Sequence, residues 1–413
     1  MRDVMVAGGA RGSRGVLRGQ IERMLDERTD ANASFFAAEA ERLARLCHRM
    51  AERFARGARL IAVGSTPAGR SDARHVAVEF VHPVIVGKRA LPAIGLTGGG
   101  GATAQEVDLL AQAHDIVIAF DVERDGGDGA RAIELARTRG CLTVAFGTAG
   151  AEHELVPPAA SPEVSQELVE TLYHVLWELV HVFFDHRGLL AERDSRPVHD
   201  AGASRFLYPF LGEQETQLDP VVEDVRRSVL MKSQEIGALR AQTLLENGDS
   251  LTAAAATLAG SFARGGKLLA LGNGGSSTDA MDVVADLRFP ADGRGGRPAI
   301  DLSEDPAILT AIANDIGTDA IFARQVIAYG RTGDTLLALS TSGNSSNVIE
   351  ALAEARRRGL ETVAMVGYDG GRVAAQALAD HVIVTRSEHI PRIQEAQASA
   401  YHVLLELIEL VDA

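Results

Sequence analysis

The sequence predicts an α/β protein made of two tandem domains, each a doubly wound parallel sheet flanked by helices. Short apolar runs typical of buried strands alternate with helical stretches along the whole chain. The first half also recurs in the second: Phe54–Gly64 matches Phe262–Gly272, and Tyr173–Leu179 matches Tyr401–Leu407. Matches that recur in the same order indicate two copies of one unit.

The bounds follow from this repeat. We expect a degenerate domain at residues 1–190, a linker at 191–219 and a second domain at 220–413. The linker stretch contains turn-forming Pro and Gly residues, which separate the long apolar helix before it from the next helical stretch.

Predicted elements follow the alternation of apolar and polar residues. Helical periodicity runs from Leu17 to Arg56, with capping-type residues at 29–32 that predict an interruption. Long apolar helices close the halves at Pro162–Phe184 and Arg392–Val411. The predicted strands are Leu60–Val63, Ile116–Phe120, Leu142–Phe146, Leu268–Leu271, Thr335–Leu339, Thr362–Val366 and His381–Val384.

Composition limits the function classes. The 413 residues are enough for two buried cores. Cys47 and Cys141 offer neither a disulfide framework nor a cysteine metal site, which is typical of a reducing cytoplasm. No apolar stretch reaches the roughly 18 residues that span a membrane, and the net charge of -15 argues against a broad nucleic-acid surface. We expect a cytoplasmic protein that binds neither membrane nor nucleic acid.

Two hydroxyl-rich loops carry the strongest functional signal. Gly272–Ser277 follows the apolar run Leu268–Leu271, and Ser340–Ser345 follows Leu336–Leu339. Backbone N–H groups and hydroxyls between a strand and a helix can surround a phosphate. Either loop alone is equally explained as a turn that ends a strand. Two such loops together favour phosphate-ester binding.

The motifs after Pro220 resemble those of phosphoheptose isomerases, within the wider sugar isomerase (SIS) domain group. They are GNGGSSTDAM, IANDIG, LSTSGNSSNVIEA and RIQE, with a His eight residues after the Gln of the last motif. The resemblance implies a sedoheptulose 7-phosphate isomerase that forms a glycero-manno-heptose 7-phosphate. It also implies a divalent metal, usually zinc, and tetramers whose sites lie at subunit interfaces.

Site residues are carried over by motif position. The resemblance implies metal ligands in the first half at His75, Glu79, Gln166 and His174, and weaker ones in the second half at Asp282, Asp286, Gln394 and His402. It gives acid–base roles to Asp286 and His402, and to Glu79 and His174 in the other half. Asp282 stands where the family has a His, which shifts the ligand set towards harder metals.

The substrate positions lie in the second half. They are Asn273, Gly274, Gly275, Ser276, Asn314, Asp315, Ser340, Thr341, Ser342, Ser345 and Gln394. The first half has acidic Asp121 and Glu123 at its second loop and no counterpart of Asn314 and Asp315. We therefore expect only the second half to bind phosphate.

Spacing on one helix suggests a composite site. Gln166 and His174 are separated by roughly 12 Å of helical rise, so one straight helix does not bring both to one metal. We expect ligands from both halves and a homodimer that forms a pseudo-tetramer of SIS domains.

Simpler readings compete with these roles. His174 and His402 can also be satisfied core histidines, Gln166 and Gln394 can be helix-surface residues, and His75 with Glu79 can be an exposed i, i+4 pair. At the level of function, the alternatives are a non-catalytic sugar-phosphate sensor or partner-binding protein, and a first half that serves only dimerisation.

Overall fold

The computed structural model describes residues 2–84, 88–98, 102–120, 127–158, 161–185, 190, 217–291 and 293–412. Residues 31–235 form one compact unit, here called the first unit. Residues 1–30 and 236–413 form the other, here called the second unit. The predicted bounds of 1–190 and 220–413 stay a prediction, and most of the predicted linker lies outside the described residues.

The first unit contains a parallel five-stranded sheet with helices around it. Its strand order is β2-β1-β3-β4-β5. Its elements are α1 (Arg2–Ala55, which begins in the second unit), β1 (Leu60–Val63), α2 (Pro67–Val81), β2 (Ala93–Leu96), α3 (Ala102–Leu110), β3 (Ile116–Ala119), α4 (Asp128–Thr138), β4 (Leu142–Ala145), β5 (His153–Glu154), α5 (Pro162–Asp185) and the start of α6 (Leu218–Glu246).

The second unit has the same architecture. Its parallel sheet has the order β10-β9-β8-β6-β7, which is the same connection order as in the first unit. Its elements after α6 are α7 (Gly248–Ala263), β6 (Leu268–Leu271), α8 (Gly275–Arg288), β7 (Ala299–Asp301), α9 (Pro306–Asp315), a 3-10 turn (Thr318–Ala320), α10 (Ala323–Tyr329), β8 (Thr335–Ser340), α11 (Ser346–Arg357), β9 (Glu361–Gly367), α12 (Gly371–Ala375), β10 (His381–Thr385) and α13 (Ile390–Asp412). The predicted fold class is confirmed.

Burial on both faces explains the apolar strands. All residues of β1 and β6 are buried, because helices cover each side of a parallel sheet. In the second unit the chain passes from β6 to β7 on one side and then crosses to β8 on the other. Such a reversal opens a crevice at the carboxyl ends of the strands, where ligands of doubly wound sheets bind.

The predicted interruption of the first helix is wrong. Helix α1 continues through 29–32. Thr29 donates its hydroxyl hydrogen to the carbonyl of Leu25, 2.9 Å away, and the Asn32 amide donates to the Ser233 carbonyl at 2.9 Å. These side chains bond elsewhere, so they do not cap a new helix here.

Within the described residues, no helix is long and apolar enough to cross a membrane.

Candidate active site

The two hydroxyl-rich loops lie side by side in the second unit. They follow β6 and β8, which are adjacent and parallel, so both loops end at the same edge of the sheet. Asn273 in the first loop and Asn347 at the start of α11 exchange two amide hydrogen bonds, at 3.0 and 2.9 Å. This reciprocal pair fixes one loop against the other. The N-termini of α8 and α11 therefore face a common crevice, where positive helix ends favour an anion.

Glycines give the first loop its tight path. A Cβ at Gly272 would lie 2.0 Å from the carbonyl oxygen of Ser276, so the chain closes there only without a side chain. Gly274 has φ +58°, a conformation that favours glycine. Ser276 is buried, whereas Asn273 and Gly274 are exposed. The loop thus presents its backbone, rather than bulky side chains, to the crevice.

Side chains stabilise the second loop from within. The Gly343 N–H donates to the Ser340 hydroxyl at 3.2 Å, and the Asn344 N–H donates to the Ser342 hydroxyl at 3.2 Å. Thr341 and Ser345 are half-buried. Among the described residues, the Ser345 side chain makes no capping hydrogen bond to α11. Its hydroxyl is therefore available to a ligand in the crevice.

Helices α8 and α13 bring together Asp286 and His402, the two residues predicted to form the acid–base pair of this unit. His402 is fully buried, and its Nε2 lies 3.5 Å from Oδ2 of Asp286, whose side chain is 30% exposed. The Tyr401 hydroxyl donates to Oδ2 of Asp282 at 3.3 Å. Asp286 is thus the member of the pair that solvent or a substrate reaches, and His402 supports it from the interior.

The remaining predicted substrate residues, Gln394, Asn314 and Asp315, lie outside the two loops. Gln394 is buried on α13, which excludes the helix-surface reading for this residue. Asn314 and Asp315 are exposed at the end of α9, where the Asn314 amide donates to the Asp315 carboxylate at 2.8 Å. Helix α9 has no buried residue among those described. Contact of Asn314 and Asp315 with a bound sugar stays a prediction.

In the first unit, the loop after β1 is equivalent to the loop after β6, but it is built differently. The Thr66 hydroxyl accepts a hydrogen bond from the Gly69 N–H at 3.2 Å and caps α2. Pro67 occupies the first turn and has no N–H. A phosphate at this loop would therefore find fewer free backbone N–H donors than at the loops of the second unit. The acidic residues predicted at the second loop, Asp121 and Glu123, lie outside the described residues.

In the first unit, buried side chains that can ligate a metal lie close together. His75 and Glu79 on α2 are both only 2% exposed, so the reading as an exposed pair is wrong. The Nε2 atoms of His75 and His174 lie 3.3 Å apart, and His75 Nε2 lies 3.9 Å from Oε1 of Glu79. Burial, with the nearby His174, holds the pKa of His75 well below its usual value. His75 is therefore neutral at neutral pH and keeps a lone pair for a ligand.

Glu170 completes the cluster and was missed by the sequence reasoning. Single ligand atoms of His75, Glu170 and His174 all lie within 4.8 Å of one another. Glu170 lies one helical turn before His174 on α5, and that i, i+4 spacing on an apolar helix was the available signal. Gln166 lies one turn earlier and is half-buried, and its buried Nε2 has no hydrogen-bond partner among the described residues.

The cluster fits a divalent metal. Imidazole nitrogens and carboxylate oxygens are ligands that zinc accepts. The hydroxyl of Tyr173 lies 2.9 Å from Nδ1 of His75. When Nδ1–H donates to that oxygen, Nε2 is unprotonated and faces His174, as in many metal sites. In the described part of the chain, no other trio of His, Cys, Asp and Glu brings its ligand atoms this close.

Comparisons with known proteins identify the family of the second half of the chain. The sequence pattern of the SIS domain family matches residues 233–367. A phosphoheptose isomerase from Pelodictyon phaeoclathratiforme is 46% identical over 175 residues, covering 41% of this chain and 82% of that protein. One from Thermodesulfovibrio yellowstonii is 40% identical over 190 residues, covering 46% of this chain and 92% of that protein. The chain belongs to the phosphoheptose isomerase family.

Membership of the phosphoheptose isomerase family rests on less than half of this chain. Over 95% of its length, the chain is similar to the C-terminal domain of glucosamine-fructose-6-phosphate aminotransferase from Francisella tularensis, at 10% identity and a TM-score of 0.56. That second likeness concerns the fold alone.

Proposed function

We propose that this protein is an aldose–ketose isomerase of sugar phosphates, with sedoheptulose 7-phosphate as substrate and a glycero-manno-heptose 7-phosphate as product. The observation that carries the proposal is the pair of loops after β6 and β8, joined by Asn273 and Asn347. In our proposal they bind the phosphate, with Ser276, Ser340, Thr341, Ser342 and Ser345 lining the position. The phosphoheptose isomerase relatives support the choice of substrate.

Asp286 is the proposed base. Its half-buried carboxylate takes the proton from C1 of the ketose and returns it to C2 through an enediol. Buried His402, 3.5 Å away, orients this carboxylate and exchanges protons with it. Asp286 lies ten residues after Ser276 on α8, about 15 Å along a helix. This separation agrees with a substrate whose phosphate is at the opposite end of the carbon chain from C1 and C2.

The proposed cofactor is a divalent metal, zinc, for which His75, Glu170 and His174 are fitting donors. A bound metal supplies Lewis-acid polarisation of oxygens or holds buried donors together. The predicted homodimer stays a prediction, which light scattering on the purified chain tests.

A second candidate is a sugar-phosphate sensor without turnover. Asp282, which stands where the resemblance implies a His, accepts a hydrogen bond from Tyr401. Without a histidine there, the second unit has a weaker donor set for zinc. This observation favours binding without catalysis.

Turnover and binding measured together separate the two candidates. Purified protein is assayed for conversion of sedoheptulose 7-phosphate, and its melting temperature is followed with the same compound. We expect turnover together with a raised melting temperature. A raised melting temperature without turnover establishes the sensor, and no effect in either assay rejects phosphate binding by these loops.

A further inference from the structure

The chain after β9 packs directly against the second hydroxyl-rich loop, Ser340–Ser345. A Cβ built at Gly371 would lie 2.4 Å from the carbonyl oxygen of Ser342. One built at Gly343 would lie 2.3 Å from the carbonyl oxygen of Gly370. The two backbones therefore meet without side chains between them, and the start of α12 is a wall of the second loop.

Arg372, in the first turn of α12, is held at this wall by the loop itself. Its backbone N–H donates to the side-chain oxygen of Asn344 at 3.0 Å, and the Asn344 amide donates to the Ser342 carbonyl at 3.0 Å. From the close approach of Gly371, the Arg372 Cα lies within about 8 Å of the Ser342 oxygen. An extended arginine side chain spans most of this distance, so its guanidinium can reach a group bound at the loop.

The Arg372 side chain is exposed, and among the described residues it forms no ion pair. Asp369, three residues before it, instead accepts a hydrogen bond from the Gly371 N–H at 3.1 Å. The positive charge of Arg372 is therefore not neutralised by the part of the chain that the structure describes. Other arginines of this unit do contact a carboxylate, namely Arg356, Arg357, Arg358 and Arg386.

We propose that Arg372 is a phosphate-binding residue, whose guanidinium pairs with the phosphate group of the substrate and selects a dianionic phosphate monoester. The proposal rests on the proposed function and adds the cation that the two loops lack. Neither Gly272–Ser277 nor Ser340–Ser345 contains a charged residue.

The charges near the loops explain why a cation strengthens binding. Helix α8, which begins in the first loop, carries the carboxylates of Asp282 and Asp286, and the whole chain has a net charge of -15. Carboxylates near a dianion weaken its binding by repulsion. A guanidinium offsets this repulsion and offers two parallel N–H donors to phosphate oxygens.

The corresponding place in the first unit carries the opposite charge. Strand β4 has the sheet position of β9, and residues 146–152 after it contain no Lys or Arg. The N–H groups of Ala149 and Gly150 there donate to the Glu154 carboxylate at 2.9 and 2.6 Å. A carboxylate of the chain itself thus occupies these donors. The arginine accompanies the unit with the open loops, as expected for a residue that contacts phosphate.

The experiment measures the affinity of the full chain for sedoheptulose 7-phosphate and for inorganic phosphate, by calorimetry at low and at high salt. The variants are Arg372→Gln, Arg372→Lys and, as a matched control, Arg331→Gln. Arg331 is also exposed, and its backbone N–H also donates to a side chain, that of Asp334, at 2.8 Å. It precedes β8, at the opposite end of the sheet from the loops, so the control removes the same charge away from the site.

We expect Arg372→Gln to bind both compounds about tenfold more weakly, because charge-assisted hydrogen bonds are lost. Arg331→Gln should stay within about twofold of wild type. Arg372→Lys keeps the charge without the planar fork, so its affinity should be intermediate. Added salt should weaken binding more in wild type than in Arg372→Gln, because salt screens an exposed ion pair.

Two spectra check that the variants remain folded. Circular dichroism reports the whole chain. Fluorescence of Trp177, the single tryptophan of the chain and fully buried in the first unit, reports that unit alone. Both spectra should match those of wild type, because each substitution keeps the backbone N–H and changes only an exposed side chain.

Three results overturn the proposal. One is wild-type affinity in Arg372→Gln, and another is an equal loss in Arg331→Gln, which indicates an effect of overall charge. The third is a loss in Arg372→Gln with the salt dependence of wild type, which indicates a changed loop rather than a lost ion pair. A wild type that binds neither compound overturns phosphate binding by these loops as well. Binding of both compounds without turnover rejects the proposed isomerase alone, and the affinities still decide the role of Arg372.

Discussion

The two units carry different side chains at matching positions of their helices. On α5, the Tyr173 hydroxyl lies within hydrogen-bond distance of His75, and buried His174 contacts the same histidine. On α13, the corresponding Tyr401 meets Asp282, and buried His402 faces Asp286. The first unit has nitrogen-rich buried donors beside a capped loop, whereas the second has oxygen-rich donors beside two open loops. In our proposal, two units with the same strand order therefore separate metal binding from phosphate binding.

The largest expected effect tests which unit performs turnover. In Asp286→Asn the proposed base is lost, and we expect kcat for sedoheptulose 7-phosphate to fall about 10²–10⁴-fold. Glu79→Gln in the first unit should change kcat by less than about threefold, because no phosphate loop accompanies Glu79. Steady-state kinetics of both variants at matched metal content measure this. A large loss in both variants contradicts the separation and points to a site that needs both halves.

The next effect concerns corresponding ion pairs. Lys232 on α6 pairs with Glu178 on α5, and both are deeply buried. Arg28 on α1 pairs with Glu406 on α13 at 2.8 Å, and Glu406 is 31% exposed. In Lys232→Met the buried Glu178 carboxylate loses its ion pair with Lys232, which should lower the free energy of unfolding by about 3–5 kcal/mol.

Arg28→Met is the matched control for that pair. The Glu406 carboxylate left behind can turn towards water, so we expect a smaller loss of about 1.5–3 kcal/mol. Urea unfolding followed by Trp177 fluorescence measures the first variant, and calorimetry of the full chain measures both. Equal losses in the two variants contradict the argument from burial.

The sequence predicted the sheets well because buried parallel strands are continuous apolar runs. The runs Leu60–Val63 and Leu268–Leu271 became β1 and β6 with the predicted bounds. The motif loops also lie at the ends of their strands as predicted. Glu170 was missed because its partner His75 is 95 residues away, and only the packing of α2 on α5 brings them together. The Asn273–Asn347 pair was also missed, because its members are 74 residues apart and only the pairing of β6 with β8 brings them together.

A third test uses pH and His181, which lies on α5 where α13 has Glu409. Burial, together with the charges of Lys88 and Arg89, lowers the pKa of His181 to about 4. The unfolded chain takes up a proton at about 6.5, so stability is full above that pH. It falls as the pH drops towards 4, by about 3 kcal/mol for this group.

His181→Gln isolates this contribution. We expect the Trp177-monitored free energy of unfolding to fall by about 2–3 kcal/mol less in the variant than in wild type between pH 7 and pH 4.5. Urea titrations at both pH values give the difference. Parallel losses in the two proteins show that other groups carry the acid sensitivity of the first unit.

The smallest effect compares one loop hydroxyl from each unit, Thr66 after β1 and Ser345 after β8. Thr66 caps α2 through the Gly69 N–H, so Thr66→Ala should lower the free energy of unfolding by about 1 kcal/mol without changing sugar-phosphate binding. Within the described residues, Ser345 makes no capping bond to α11, so Ser345→Ala should leave stability within about 0.5 kcal/mol. It should weaken sedoheptulose 7-phosphate binding about fivefold to tenfold, because a hydrogen bond to the phosphate is lost. Calorimetric binding and urea unfolding of both variants give four values. A binding loss in Thr66→Ala shows that the first-unit loop also contacts the ligand, since its hydroxyl is otherwise occupied by the helix it caps.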